Sequence, residues 1–223
     1  MNILAIETST DACSAALLCN ETLIARYQFA PRQHTALILP MIDSLFTEAG
    51  ISKNTLNAVA FGRGPGSFTG IRIATAIAQG IGFALDVPLI PVSTLHALAA
   101  LAYNKYQSKS ILTALDARMN QVYWCAYVWN ENGYMQARME ETVVSPEDIE
   151  LPEAIEEWVG IGDGWKYYYD RLLSKMSKPL QQYFSDEYPR ANEIATIAKQ
   201  LYIEGKVISA ADALPVYLRE KVV

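Results

Sequence analysis

The chain has 223 residues, 51% of them hydrophobic and 19% charged, with a net charge of −6, which is a globular composition long enough for one or two packed cores. Five Lys/Arg stand against six Asp/Glu up to Asn104 and thirteen against eighteen beyond it, so the basic stripe of an autonomous nucleic-acid binder is missing. The start MNILAIETST has neither a basic segment nor a cleavage-type site, and the apolar, uncharged stretch Ile73 to Leu85 has 13 residues where a bilayer span needs about 20. The expectation is a soluble, cytoplasmic protein with no membrane partner. Cys13, Cys19 and Cys125 are odd in number and fit no CxxC spacing, which suits a reducing compartment and small buried side chains.

In chain order, Ile3 to Glu7, Cys13 to Leu18 and Leu23 to Phe29 read as three strands, the last two joined by the turn Asn20-Glu21-Thr22. Three consecutive strands predict an antiparallel meander at a sheet edge. The period then changes: helix from Ala36 to Ala49, strand from Leu56 to Phe61, helix from Ser67 to Leu85, strand from Leu89 to Val92, and a helix capped by Ser93 and running to Tyr103. The polar stretch Asn104 to Lys109 marks a break, giving two domains, 1–104 and 105–223. Beyond it, Ser110 to Leu115, Gln121 to Val128 and Tyr134 to Val143 read as strands, with turns at Asp116 to Asn120 and Asn130 to Gly133. Ser145-Pro146-Glu147-Asp148 has the form of a helix start, with a hydroxyl cap, proline at the first position and acids in the first turn. Eight acidic residues and no basic one between 140 and 157 read as a solvated helix face, with a docking face as the alternative. Trp158 to Ile161 is a short strand, and Asn192 to Glu204 a helix burying Ile194, Ile197, Ala198 and Leu201 and ended by Gly205. Strand–helix alternation after a meander, seen in both halves, specifies an α/β fold of mixed sheets flanked by helices.

The stretch GRGPGSFTGIR, residues 62 to 72, has the look of a phosphate loop. It lacks the lysine of GxxxxGK[ST], since no lysine occurs between Lys53 and Lys105, and Gly62, Gly64 and Ser67 miss the GxGxxG spacing. Pro65 removes one backbone N–H from any anion nest. The loop therefore reads as a tight strand-to-helix turn with Ser67 as the cap. In the helix that follows, Gly70, Ala74, Ala78 and Gly82 form a row of small residues four apart, flanked by Ile71 and other apolar residues. Such a row lets a second helix come close. The preceding helix carries Thr35, Ile38, Leu39, Ile42 and Leu45 on a broad apolar arc. Two neighbouring helices of this kind predict a helix-on-helix subunit interface, made of Thr35, Ile38, Leu39, Ile42, Leu45, Gly70, Ile71, Ala74, Ala78 and Gly82. The other reading is a helix sandwiched within one domain. The two histidines, His34 and His96, are 62 residues apart and belong to no HxxxH or HExxH pair, and no GxSxG elbow occurs, so no metal site and no catalytic nucleophile are expected.

ILAIETST, the RQHT…LPMI helix, GRGPGSFTGIRI, Pro91-Val92-Ser93-Thr94-Leu95, LDARMNQVYW and the terminal PVYLR together resemble the bacterial TsaB (YeaZ) family. The motifs span nearly the whole chain, with residues 150–186 the weakest stretch. The resemblance implies the actin, Hsp70 and sugar-kinase (ASKHA) fold, with two related subdomains. It also implies a part in making threonylcarbamoyladenosine 3′ to the anticodon of tRNAs that read codons beginning with A. The catalytic subunit there is the paralogue TsaD, TsaC supplies threonylcarbamoyl adenylate and TsaE is an ATPase. A TsaB-like chain would be the non-catalytic partner of TsaD and TsaE, would form homodimers, and would meet tRNA only through the complex. In nucleotide-binding members of this fold the first turn contacts phosphate through an acid and glycine–hydroxyl residues. Here Glu7-Thr8-Ser9-Thr10 fills that turn without glycine, Asp116-Ala117-Arg118 fills the second, and Gly160 to Gly164 resembles the adenosine-side loop. The implication is a vestigial nucleotide cleft of Glu7, Thr8, Ser9, Thr10, Asp116, Ala117, Arg118, Gly162, Asp163 and Gly164, with no firm cofactor and ATP or ADP only at the complex. The alternatives are a weak ATPase or sugar-kinase-like enzyme, or a glycoprotease-like peptidase.

Overall fold

A computed structural model describes residues 1–152, 157–176 and 180–219. The chain divides into two compact units, Met1–Ala97 with Pro189–Val216, and Leu98–Tyr188 with Tyr217–Val223.

The first unit is built on a five-stranded sheet in the order β3-β2-β1-β4-β5. β1 (Asn2–Glu7), β2 (Ala12–Cys19) and β3 (Thr22–Phe29) form the expected antiparallel meander. β4 (Ala58–Gly62) and β5 (Leu89–Val92) run parallel to β1. Side chains alternate between faces of a strand, so β1 serves two cores. Leu4 and Ile6 face α1 (His34–Ala49) and α2 (Phe68–Leu85), whereas Ile3 and Ala5 face α5 (Ala191–Ile203). Burial on both faces explains the uninterrupted apolar run of the strand. α2 spans 18 residues and is, among the described helices, long and apolar enough by length and composition to cross a bilayer; in the first unit one of its faces is packed into the core.

The second unit has a six-stranded sheet. β11 (Gln182–Phe184), β10 (Val159–Ile161), β6 (Ser110–Asp116), β7 (Val122–Trp129) and β8 (Met135–Ala137) follow in that order, and β9 (Thr142–Val144) also pairs with β7. As in the first sheet, an antiparallel hairpin, β6–β7, is followed by parallel strands, β10 and β11. Leu112, Trp124, Trp158 and Trp165 fill its core beside α4 (Gly164–Leu173). α3 (Thr94–Tyr106) carries the chain from one unit to the next.

Several expectations need correcting. A division at 104/105 misses the return of Pro189–Val216 to the first unit. There, Ala191, Ile194, Ala195 and Ala198 of α5 cover Ile3, Ala5 and Ile90, and the Ala191 amide donates to Ser14 Oγ at 2.9 Å. Second, Ser145-Pro146-Glu147-Asp148 starts no α-helix. Pro146–Asp148 is a single 3₁₀ turn, the Ser145 side chain makes no cap bond, and Ile149 is already extended. Pro152, three residues on, holds its neighbour out of helical geometry. Third, the acidic run is therefore not a helix face: Glu141 accepts from Tyr127 and Glu147 pairs with Arg171. Residues 153–156 of that run lie outside the described residues. The strand expected over Tyr134 to Val143 is two short strands, β8 and β9, and neither α4 nor β11 was expected.

Candidate functional site: two turns and a helix face

The first turn, Glu7 to Thr10, is filled by the chain's own glycine loop. The Ser67 amide donates to the Ser9 carbonyl at 2.7 Å, and the Thr8 hydroxyl donates to the Gly70 carbonyl at 2.7 Å. A Cβ on Gly66 would fall 2.5 Å from the Ser9 carbonyl oxygen, and one on Gly62 would fall 2.0 Å from Glu7 Oε2. These glycines are needed because another part of the backbone, or a carboxyl group, occupies the place of a side chain. Ser67 caps α2 through the Gly70 amide, as the sequence predicts.

Glu7 is fully buried, and burial pushes its carboxyl above the ordinary range despite hydrogen bonds from Ser9, Thr8 and Thr94. Oε1 accepts from the Ser9 amide at 2.6 Å, and Oε2 has no hydrogen-bond partner. The Thr94 hydroxyl donates to Ser9 Oγ at 3.1 Å, and Ser93 Oγ caps α3 by accepting from the Leu95 and His96 amides. His34 is the first residue of α1. Its Nε2 lies 2.8 Å from the Thr10 carbonyl and 3.2 Å from that of Ala12, so this nitrogen carries the proton. Burial pushes the Cys13 thiol up to about 11 and Cys125 up to about 12, which leaves both inert. Among the described residues no group of three His, Cys, Asp or Glu is placed to hold a metal.

The second turn lies in the second unit. The Asp116 amide donates to Asp163 Oδ1 at 2.9 Å, so two of the predicted cleft residues do meet. Asp116 Oδ1 accepts from the Arg118 amide at 2.8 Å and from the Tyr168 hydroxyl at 3.0 Å. Gly162, at φ +105°, and Gly164 both lie against Ala114 at the end of β6. Tyr168 and Arg219, which binds the Ala117 carbonyl, were missed from the sequence. The signal for Arg219 was the PVYLR motif, read as a motif without an assigned contact.

The predicted helix interface is mostly core. Ile38, Ile42, Leu45, Ile71, Ala74 and Ala78 are buried within the first unit, and Gly70 and Gly82 are buried with them. The small-residue row admits the chain's own sheet and turns: a Cβ on Gly70 would fall 2.0 Å from the Thr8 carbonyl oxygen, and one on Gly82 would fall 2.8 Å from Leu89 Cδ2. Of the ten residues only Thr35 and Leu39 are exposed. The faces assigned to a partner are therefore turned into the first unit's own core. The apolar surface left outward carries Leu39 (52% exposed) on α1, and Phe68 (51%) and Phe83 (64%) on α2.

Comparison with known proteins places this geometry. Residues 26–220 match the family described as "TsaD: tRNA N6-adenosine threonylcarbamoyltransferase". The Escherichia coli (strain K12) protein called "tRNA threonylcarbamoyladenosine biosynthesis protein TsaB" is 42% identical over 224 residues, covering 100% of this chain and 96% of the relative. The solved structure of YeaZ from Pseudomonas aeruginosa superposes with a TM-score of 0.91 at 38% identity, covering 97% of this chain and 99% of that one. A "tRNA N6-adenosine threonylcarbamoyltransferase" from Pelodictyon phaeoclathratiforme (strain DSM 5477 / BU-1) is 35% identical over 112 residues, which cover only 44% of this chain and 32% of that enzyme.

Proposed function

We infer that this chain, which belongs to the TsaB family of tRNA threonylcarbamoyladenosine biosynthesis proteins, acts in that modification as a non-catalytic subunit paired with the paralogue TsaD. The observation that carries the reading is the filled first turn. Where a nucleotide-binding relative of this fold would hold phosphate, the Ser9 carbonyl is taken by Ser67, the Thr8 hydroxyl by Gly70, and Glu7 is buried beneath them. Full-length agreement with TsaB, against an alignment of only 44% of this chain with the Pelodictyon phaeoclathratiforme transferase, favours the same side. Pairing with TsaD, or with a second copy, falls to the outward faces of α1 and α2. TsaE joins the assembly, and tRNA is met through the complex and not by a face of this acidic chain. We place the protein in the cytoplasm, where charged tRNA substrates and reduced thiols are found.

Reconstitution tests this. With its own TsaD, TsaE and TsaC, ATP, threonine, bicarbonate and tRNA, modification should depend on adding this chain, and the chain without TsaD should give no product. Product from this chain without TsaD, or full modification in its absence, defeats the reading.

A further inference from the structure

Two stretches singled out in the sequence, GRGPGSFTGIR and PVYLR, meet inside the first unit. The Val216 amide donates to the Arg63 carbonyl at 2.8 Å. The glycine loop is thus held at both ends: Arg63, at its start, accepts from Val216, and Ser67, at its end, donates to the Ser9 carbonyl at 2.7 Å. Between them the Gly64 carbonyl accepts from the Thr94 amide at 3.0 Å. Gly64 stands at φ +97°, and a Cβ there would fall 3.2 Å from the Val216 carbonyl oxygen. Glycine reaches that conformation freely and leaves it as freely, so a loop with glycines at 62, 64 and 66 stays in one shape only where its neighbours hold it.

Val216 ends the segment 206–216, which follows α5 and meets β5, the edge strand of the sheet. Leu89 and Ile208 exchange both backbone hydrogen bonds at 2.9 Å. Leu89 therefore faces the open edge, as does Pro91 two residues on, which has no N–H to offer. One bridge and one proline guard this edge. Further along, Ala210 and Ala213 are buried in the core shared with α2. Gln79 of α2 fastens them: its Nε2 donates to the Ala210 carbonyl at 3.2 Å and to the Ala213 carbonyl at 3.0 Å. Both hydrogens of that side-chain amide are engaged by the one segment.

We propose that 206–216 is a locking strap, latched by Gln79, that keeps the glycine loop seated and the first turn closed. Lifting the strap would strip partners from the Leu89 amide and carbonyl and from the Arg63 carbonyl, the last of them in the loop itself. The lock rests on the filled first turn described under the proposed function and not on pairing with TsaD.

Hydrogen exchange on the full chain tests it, with thermal unfolding on the same samples. Gln79→Met keeps the length of the side chain and removes both donors. Exchange of the Ile208 and Val216 amides should rise by about tenfold to a hundredfold. The Ser67 and Thr94 amides, which make the loop's other bonds, should speed up with them while β1 and β2 stay protected. A latch confined to the strap would move Ile208 and Val216 and leave Ser67 and Thr94 as they were. That result overturns the lock, and so does unchanged exchange throughout. If Gln79→Met loosens β1 and β2 as well, Val216→Pro decides, since it removes the N–H that meets Arg63 and leaves Gln79 in place. Faster exchange at Ser67 and Thr94 over protected β1 and β2 then supports the lock. An unchanged loop, or protection lost across the whole unit, overturns it. Exchange is read on the chain by itself, so failure of the subunit reading in the reconstituted mixture leaves this outcome standing.

Discussion

Thr8 and Gly70 touch in both directions: the Thr8 hydroxyl donates to the Gly70 carbonyl at 2.7 Å, and the Thr8 carbonyl oxygen lies 2.0 Å from where a Gly70 Cβ would stand. The contact joins the first turn to the first turn of α2. On helix propensity alone, Gly70→Ala should stabilise by about 1 kcal/mol. The clash is with backbone, which cannot swing aside, and overpacking of this kind costs about 1–3 kcal/mol. We therefore expect a net loss of stability, read as a lower midpoint in urea. A Gly70→Ala chain as stable as wild type would mean the turn gives way easily.

Ala78 is fully buried in the core of Leu4, Ile6, Val59 and Phe61. Ala78→Arg should therefore abolish the fold and not merely a subunit contact, because an unpaired buried charge costs several kcal/mol against a total of about 5–15. Circular dichroism of the purified variant checks this. A cooperative, wild-type-like melt would return the small-residue row to the surface.

Phe83 offers the contrasting case on the same helix. Its side chain is largely exposed, so Phe83→Glu should shift stability by no more than about 0.5 kcal/mol. Truncation or reversal at an interface anchor costs about 2 kcal/mol or more, so association with TsaD should weaken by about thirtyfold. Light scattering of the mixture and a thermal melt of the variant separate the two effects. Undiminished pairing would show that the partner covers another face.

How far the sequence carried depended on the range of the interactions involved. β1 to β5 and the helices between them were legible because their apolar runs and helical periods are local and their caps, Ser67 and Ser93, sit beside them. The small row of α2 was visible too, but sequence cannot say which neighbour a close-packing face admits, and Thr8 and Leu89 took the place assigned to a partner helix. α5 was found as a helix and assigned to the wrong unit, since its anchor is Ser14, 177 residues away. The 3₁₀ turn at Pro146 shows a local start signal overruled by Pro152 a few residues later. In the second turn the Asp116–Asp163 contact matched the implied grouping, whereas Tyr168 and Arg219 reach it from distant stretches that no spacing connects.

Glu7 gives the chain a pH dependence whose sign can be worked out. Burial raises its carboxyl above the ordinary value of 4.5, so the folded chain keeps a proton that the unfolded chain loses as pH rises past that value. The native state then binds more protons, and its stability must fall with rising pH between the unfolded and folded values. The stabilisation is fully present below pH 4.5 and is lost as pH climbs through the folded value, at up to about 1.4 kcal/mol per pH unit within that window. Glu7→Gln keeps the shape and cannot ionise, while its carbonyl can still accept from the Ser9 amide. The variant should therefore gain on wild type as pH rises above 4.5, until the folded value is passed, with the difference between them flat at lower pH. Urea midpoints for both chains across that range measure it. A difference that does not change with pH would mean that Glu7 is charged in the folded protein and that its buried oxygen is paired after all.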